Sequence, residues 1–252
     1  MKVKEEWQDF FKKDYVAFSE VILSPERTKW EVEQLCSLLQ LPKGARILDL
    51  GCGQGRISIP LQKLGYQVVG MDISNDLLEV ARNRAKEENL VLPFFHEDMR
   101  DLSVLNEFDA IINLGTAFGY VQDSRENHTI YQNIFNALKP GGIFIQDTEN
   151  RDFKVKNHRS RTWDMMNGKS VWSERKFTTK DSRWLEKIFW WEGGFIRNRV
   201  LDLRLYSPAE LIDMMTANGL EVQSLYGGFD LSEHTVDSSR TVIVAKKGAN
   251  TK

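Results

Sequence analysis

Cysteine and histidine are scarce in this chain, and that scarcity narrows its chemistry. Of 252 residues only two are cysteines, Cys36 and Cys52, and four are histidines. No Cys-x-x-Cys pair occurs, so neither a disulfide framework nor a zinc site is expected. His158 and His234 stand in polar stretches without a second ligand at metal spacing. No run is long and apolar enough to span a bilayer, and the opening MKVKEEWQDF lacks the apolar core of a signal peptide, so a cytoplasmic location without membrane attachment is the expectation. Charge of one sign is lacking too: 34 Lys and Arg against 36 Asp and Glu leave a net charge of −2, which gives no overall pull toward nucleic acid. Internal repeats and low-complexity segments are absent.

What remains is enough for a sizeable core, with 41% hydrophobic residues. From Pro42 to Gly142 strand-like and helix-like patterns alternate. ARILDL, YQVVGMD, LVLPFFHED, FDAIINLG and GGIFIQDT read as strands. Between them Ile57, Leu61 and Leu64 keep helical spacing, Ser74 precedes a helix with Leu77, Leu78, Ala81 and Ala85 on one face, and SRENHTIYQNIFNALKPGG reads as a helix ended by Pro140 and Gly141. Such alternation predicts a parallel sheet covered on both faces. Near residue 150 the pattern changes to KSVWSERKFTT, RWLEKIFWWE and FIRNRVLDLRLY, strand-like runs separated by turn signals and holding most of the tryptophans. SPAELIDMMTANG then carries a capping box from Ser207 to Glu210, and LEVQSLYG and SRTVIVAKK close the chain as strands.

The stretch ILDLGCGQGR places Gly51, Gly53 and Gly55 at a strand's end, where backbone can approach a ligand closely. The spacing is Gly-x-Gly-x-Gly, whereas a dinucleotide loop calls for Gly-x-Gly-x-x-Gly. Asp49 would repel a pyrophosphate but suits the ammonium of a methionyl tail. Asp72, about 20 residues beyond the loop, stands where an acid meets ribose hydroxyls. In HEDMRDL, Asp98 is placed to accept from an adenine amino group with Met99 against the ring. These features favour S-adenosylmethionine over a nicotinamide dinucleotide.

Together, ILDLGCGQGRISIPLQKLGYQVVGMDIS, HEDMRDL, FDAIINLGTAFGY and ALKPGGIFIQDT resemble the class I S-adenosylmethionine-dependent methyltransferases over residues 45–148. The resemblance implies an α/β, Rossmann-like seven-stranded sheet with its last strand antiparallel, here with an antiparallel β-rich insert. It divides a single domain into an N-terminal helical cap (1–41), a cofactor-binding core (42–150), a substrate-lid insert (151–205) and a closing helix and strand pair (206–252). The cofactor residues it implies are Asp49, Gly51, Cys52, Gly53, Asp72, Ile73, Asp98, Met99, Asn113 and Leu114. FSEVILSPERTKWEVEQLCSLL resembles the N-terminal helices of small-molecule members, so Arg27 is expected at the cofactor carboxylate and Tyr15 over the donor methyl.

The acceptor is expected above NLGTAFGY, beneath the tryptophan-rich insert, which serves as a lid around a cationic or hydrophobic molecule or, at an exposed edge, as a homodimer contact. Tyr120 and His128 are the candidate catalytic groups, although alignment alone can carry methyl transfer without a base. A small-molecule acceptor is the leading expectation. An RNA or protein substrate is supported only by the basic run RDFKVKNHRSR, read as a solvated loop, and a non-catalytic cofactor sensor would have its acceptor cavity filled by the insert.

Overall fold

In the computed structural model, residues 5–248 are described. A 3-10 turn (Glu6–Asp9) leads into α1 (Lys13–Ile22) and α2 (Pro25–Leu39). Ser24 caps α2 by accepting from the Arg27 N–H, and Pro25 follows where no helical N–H is needed. The core then alternates through β1 (Arg46–Leu50), α3 (Ser58–Lys63), β2 (Gln67–Asp72), α4 (Asn75–Glu87), β3 (Phe94–His96), β4 (Phe108–Asn113), α5 (Ser124–Ala137) and β5 (Leu138–Glu149). Next come α6 (Arg151–Lys156) and the strands β6 (Arg161–Met166), β7 (Lys169–Thr178), β8 (Arg183–Glu192) and β9 (Phe195–Arg204). The chain finishes with α7 (Pro208–Ala217), β10 (Leu220–Tyr226) and β11 (Arg240–Lys247).

Seven strands form one sheet in the order β10-β11-β5-β4-β1-β2-β3. The ladders from β5 to β3 are parallel, while β11 runs antiparallel to both β5 and β10. The fold is thus α/β and Rossmann-like with an antiparallel last strand, as the resemblance implies. Along β1, Ile47 joins the apolar layer that includes Leu35 and Leu78, and Leu48 and Leu50 join the layer of Ile111, Tyr131 and Met215 on the other face. A strand buried on both faces needs an unbroken apolar run, which is why RILDL reads so clearly. The strand order reverses between β1 and β4, and that reversal opens a crevice at their carboxyl ends.

The insert is a separate antiparallel sheet, β6-β7-β8-β9. One face is buried through Val171, Trp184, Trp190 and Leu203, and the other exposes Trp163 and Trp191, 71% and 59% accessible. Three details differ from the sequence reading. The basic run at 151–161 is a loop only at 157–160, since 151–156 form the helix α6 and Arg161 opens β6. The fifth helix stops at Ala137, and Pro140 and Gly141 belong to β5, whose pairing with β11 begins only at Ile143, past the proline that lacks a donor. The third strand shrinks to Phe94–His96 directly after Pro93. Glu210 clasps both ends of the insert, accepting from Arg151 at 3.1 Å and Arg204 at 3.2 Å while completing the capping box of α7. Among the described residues, no helix is long and apolar enough to cross a membrane.

Candidate active site

The crevice at the strand reversal begins with the glycine loop. Gly51 has φ +84°, and a Cβ there would lie 2.5 Å from the Ala117 Cβ, so the backbones after β1 and β4 touch only because this residue has no side chain. The loop is stitched to the end of β2: the N–H groups of Gly51 and Cys52 donate to the Met71 carbonyl, and Gly53 N–H donates to Asp72 Oδ2 at 2.8 Å. Ser74 N–H donates to the other Asp72 oxygen at 2.7 Å. Burial outweighs these donors and raises the Asp72 pKa above the usual carboxylate value. Cys52 turns its sulfur beneath the loop, 2.9 Å from where a Cβ on Gly70 would stand, and burial pushes its thiol pKa well up. A thiol so held is not a nucleophile.

Asp49 points to the α3 face of β1, 3% exposed, and accepts from Ser58 Oγ. Burial pushes its pKa up to about 6, and among the described residues no basic side chain makes an ion pair with it. A buried acid that makes no ion pair, beside a glycine cradle that a Cβ would fill, is the donor set that fits the ammonium of S-adenosylmethionine. Asp98 caps the 3-10 turn Met99–Asp101 and takes Arg100 in a two-pronged pair, with Nη2 at 2.6 Å. Arg100 is itself buried and reaches Glu126 and Glu5, and this charged cluster holds its pKa above its ordinary value.

Asp49, Gly51, Cys52, Gly53, Asp72, Ile73, Asp98, Met99 and Leu114 all line one cavity of about 140 Å³, closed from above by Trp7, Phe11, Tyr15 and Tyr120. Asn113 does not line it. Its Nδ2 donates to the Leu50 carbonyl at 2.7 Å, tying β4 to the end of β1. The rings of Trp7 and Phe11 lie 5.1 and 5.2 Å from that of Tyr120.

A second cavity, about 620 Å³, opens between α1, α2, the ends of β4 and β5 and the buried face of the insert. The two cavities share Tyr15, Arg56, Thr116 and Tyr120 among their walls. Burial raises the pKa of both tyrosines, so each stays a neutral phenol able to donate or accept but not to act as a phenolate. Thr116 adopts φ +65°, a left-handed conformation that a β-branched residue rarely takes. It is over-determined there: Gly115 N–H donates to Asp147 Oδ2 at 2.9 Å, Thr116 N–H to the Asp147 carbonyl at 3.0 Å, and Arg240 Nη2 to Thr116 Oγ1 at 3.1 Å. Arg240 in turn grips both Asp147 oxygens, at 2.7 and 2.6 Å.

Ion pairs brace the rest of the second cavity. Asp14 meets Arg199 at 2.6 Å, Glu149 meets Lys154 at 2.6 Å and Glu186 meets Arg175 at 2.8 Å. The buried Glu31 holds two arginines, Arg27 at 2.8 Å through one oxygen and Arg56 through the other. Arg27 thus lies in this wall and not in the smaller cavity, where Arg56 stands instead. The sequence did hold a signal for Arg56, since it directly follows the third glycine of the loop. Nothing in the sequence marked Arg240, which comes from the last strand. His128 lines neither cavity: it is exposed on α5, and Asn218 Nδ2 donates to its Nδ1 at 3.2 Å. Among the described residues no group of three His, Cys, Asp or Glu side chains is placed to hold a metal ion.

A parallel sheet with an antiparallel last strand, a glycine loop at the strand reversal and an acid ending each of the first two strands define a class I S-adenosylmethionine-dependent methyltransferase fold. Comparison with known proteins agrees. Residues 47–142 match the family model of a methyltransferase domain. The ubiquinone biosynthesis O-methyltransferase of Coxiella burnetii is 31% identical over 134 residues, which are 53% of this chain and 54% of that protein. The chain spans about half the length of the curated relatives it matches. Among solved structures, an S-adenosylmethionine-dependent methyltransferase from Clostridium acetobutylicum superposes with a TM-score of 0.80 at 19% identity, covering 94% of this chain and all of that one. The CcbJ methyltransferase of Streptomyces caelestis gives 0.79 at 21% identity, covering 89% and 91%. Residues 47–142 thus match a methyltransferase domain, set in the fold that solved S-adenosylmethionine-dependent methyltransferases share.

Proposed function

We propose that the chain is an enzyme that transfers a methyl group from S-adenosylmethionine to a nitrogen or oxygen of a small molecule held beneath the insert. The carrying observation is the pair of adjoining cavities: the glycine loop walls one, the insert walls the other, and Tyr15, Thr116 and Tyr120 stand at their junction. In this reading Asp49 holds the ammonium, Asp72 the ribose hydroxyls, Ile73, Met99 and Leu114 flank the adenine, and Arg56 with Arg27 faces the carboxylate. Asp98 receives the adenine amino group on the side away from Arg100. Asn113 and His128 hold structural places, and Tyr120 positions the acceptor.

The cofactor supplies an activated methyl on a good leaving group. The protein's part is to align and to exclude water: Trp7 and Phe11 cover the junction, and the braced Thr116 fixes the floor beneath it. Alignment of this kind is worth about 7–11 kcal/mol of barrier, so no base is required. Residues 42–150 form the cofactor core, 151–205 the lid, 206–252 the closing segment and 1–41 the cap, with residues 1–4 and 249–252 outside the described ones. A cavity left open beneath the insert supports an enzyme over a cofactor sensor. Lys154, turned into that cavity from the basic helix α6, supports a small molecule over RNA. The exposed Trp163, Trp191 and Ile196 on the outer face support self-association through the insert, to be read by analytical ultracentrifugation. We place the enzyme in the cytoplasm.

The test is transfer of labelled methyl from S-adenosylmethionine into a cell extract split into metabolites, RNA and protein. Label in the metabolite fraction is expected. Label in RNA or protein alone would overturn the small-molecule reading.

A further inference from the structure

We propose that the acceptor is an apolar, ring-bearing monoanion, a carboxylate or equivalent, whose charge is met by Arg159 at the rim of the larger cavity. This rests on the methyltransferase reading above. Outside the trio of Glu31, Arg27 and Arg56, which that reading assigns to the cofactor, the wall carries the four acids already described. Each is matched one to one: Asp14 by Arg199, Asp147 by Arg240, Glu149 by Lys154 and Glu186 by Arg175. Arg159 also lines this cavity, and among the described residues it makes no ion pair. Outside that trio the wall is therefore one positive charge in excess, and the excess has a definite place, between α6 and β6.

The tryptophans give the second, independent observation. An aromatic cage for a cationic acceptor needs free ring faces. Here Lys154 Nζ lies 4.6 Å over the Trp184 ring, and the Arg199 guanidinium lies 5.7 Å over Trp190. Each buried tryptophan of the cavity already has a cation of the protein's own. A cationic acceptor would find those faces shared with like charge and an unmatched arginine at the rim. What the cavity does offer is apolar wall, such as the edge-to-face contact of Phe18 with Trp190 at 5.1 Å. Because Arg159 is exposed, it meets an anion at the rim without the cost of burying either charge.

The proposal is tested with protein saturated with S-adenosylhomocysteine, whose own binding is first measured by calorimetry. Three probes sharing one skeleton are then titrated: 2-naphthoate, 2-naphthalenemethanol and 2-naphthylmethylamine, followed by quenching of tryptophan fluorescence. The carboxylate should bind about tenfold more tightly than the amine, the attraction of one and the repulsion of the other each giving part of the ratio. Arg159→Gln should bring that ratio near one, and Arg159→Glu should invert it, with S-adenosylhomocysteine affinity unchanged in both. An amine bound as tightly as the carboxylate, a preference that survives Arg159→Gln, or no binding of any probe at millimolar concentration would each overturn the proposal. Failure of S-adenosylhomocysteine to bind would instead strike the methyltransferase reading itself.

Discussion

The seven-stranded sheet and the four-stranded insert are built by different rules, and the difference tracks what each presents to a ligand. In the sheet, β1 is buried on both faces, and the cradle is made of backbone: Gly51 in a left-handed turn, Gly53 N–H on Asp72, Ala117 pressed close. The insert is buried on one face only, and its cavity wall is made of side chains that pair from one element to another. Asp14 of α1 pairs with Arg199 of β9, and Arg175 of β7 with Glu186 of β8. Backbone cradles suit a constant ligand and side-chain walls a variable one. In the proposed reading, the backbone cradle takes the cofactor and the side-chain wall takes the acceptor.

The largest effect should come where the two halves join. Asp147→Ala strips Arg240 of its buried partner and Thr116 of its brace, and should cost about 3–5 kcal/mol in denaturant unfolding. Next, Trp190→Ala removes the largest fully buried side chain of the insert, at about 3–4 kcal/mol, while S-adenosylhomocysteine affinity stays within about twofold. An equal loss of cofactor affinity would break the division between the halves.

Asp49 gives a pH-dependent version of the same contrast. Its folded pKa of about 6 lies above the ordinary value of 3.8, so between those values the native state holds a proton that the unfolded chain has released. Stability of the ligand-free protein should therefore fall by up to about 3 kcal/mol as pH rises through that window and level off above it. A neighbouring ammonium favours the carboxylate, so affinity for S-adenosylhomocysteine should rise over the same range, and Asp49→Asn should flatten both curves. Gly51→Ala should cost about 1–3 kcal/mol of cofactor binding, read by calorimetry, because φ +84° and the nearby Ala117 both oppose a Cβ. The smallest effect belongs to His128→Ala, within about 0.5 kcal/mol of stability and with no change in turnover once an acceptor is known.

The same division explains what the sequence made legible. Strands buried on both faces, the caps at Ser74 and Ser207 and the glycine loop are local signals, and they led to the fold and to most residues that line the smaller cavity. Asn113 and His128 lie outside the smaller cavity, one turned to the Leu50 carbonyl and the other on the outer face of α5, and position in the sequence does not reveal either orientation. Arg240 and Trp7 escaped because no spacing announces a partner about a hundred residues away. The run at 151–161 looked solvated because its charges dominate, and only the fold shows Lys154 pairing inward with Glu149.

One carboxylate carries a consequence for how such a protein diversifies. Glu210 holds Arg151 where the insert leaves the core and Arg204 where it returns, and it is anchored by the helix cap at Ser207. Entry and exit are thus fastened at a single point on the core. The outer face of the strands between them makes none of these ties, so its rings and charges are open to exchange while the clasp holds the two ends. A rewritten insert would change one wall of the larger cavity and leave the glycine cradle as it was.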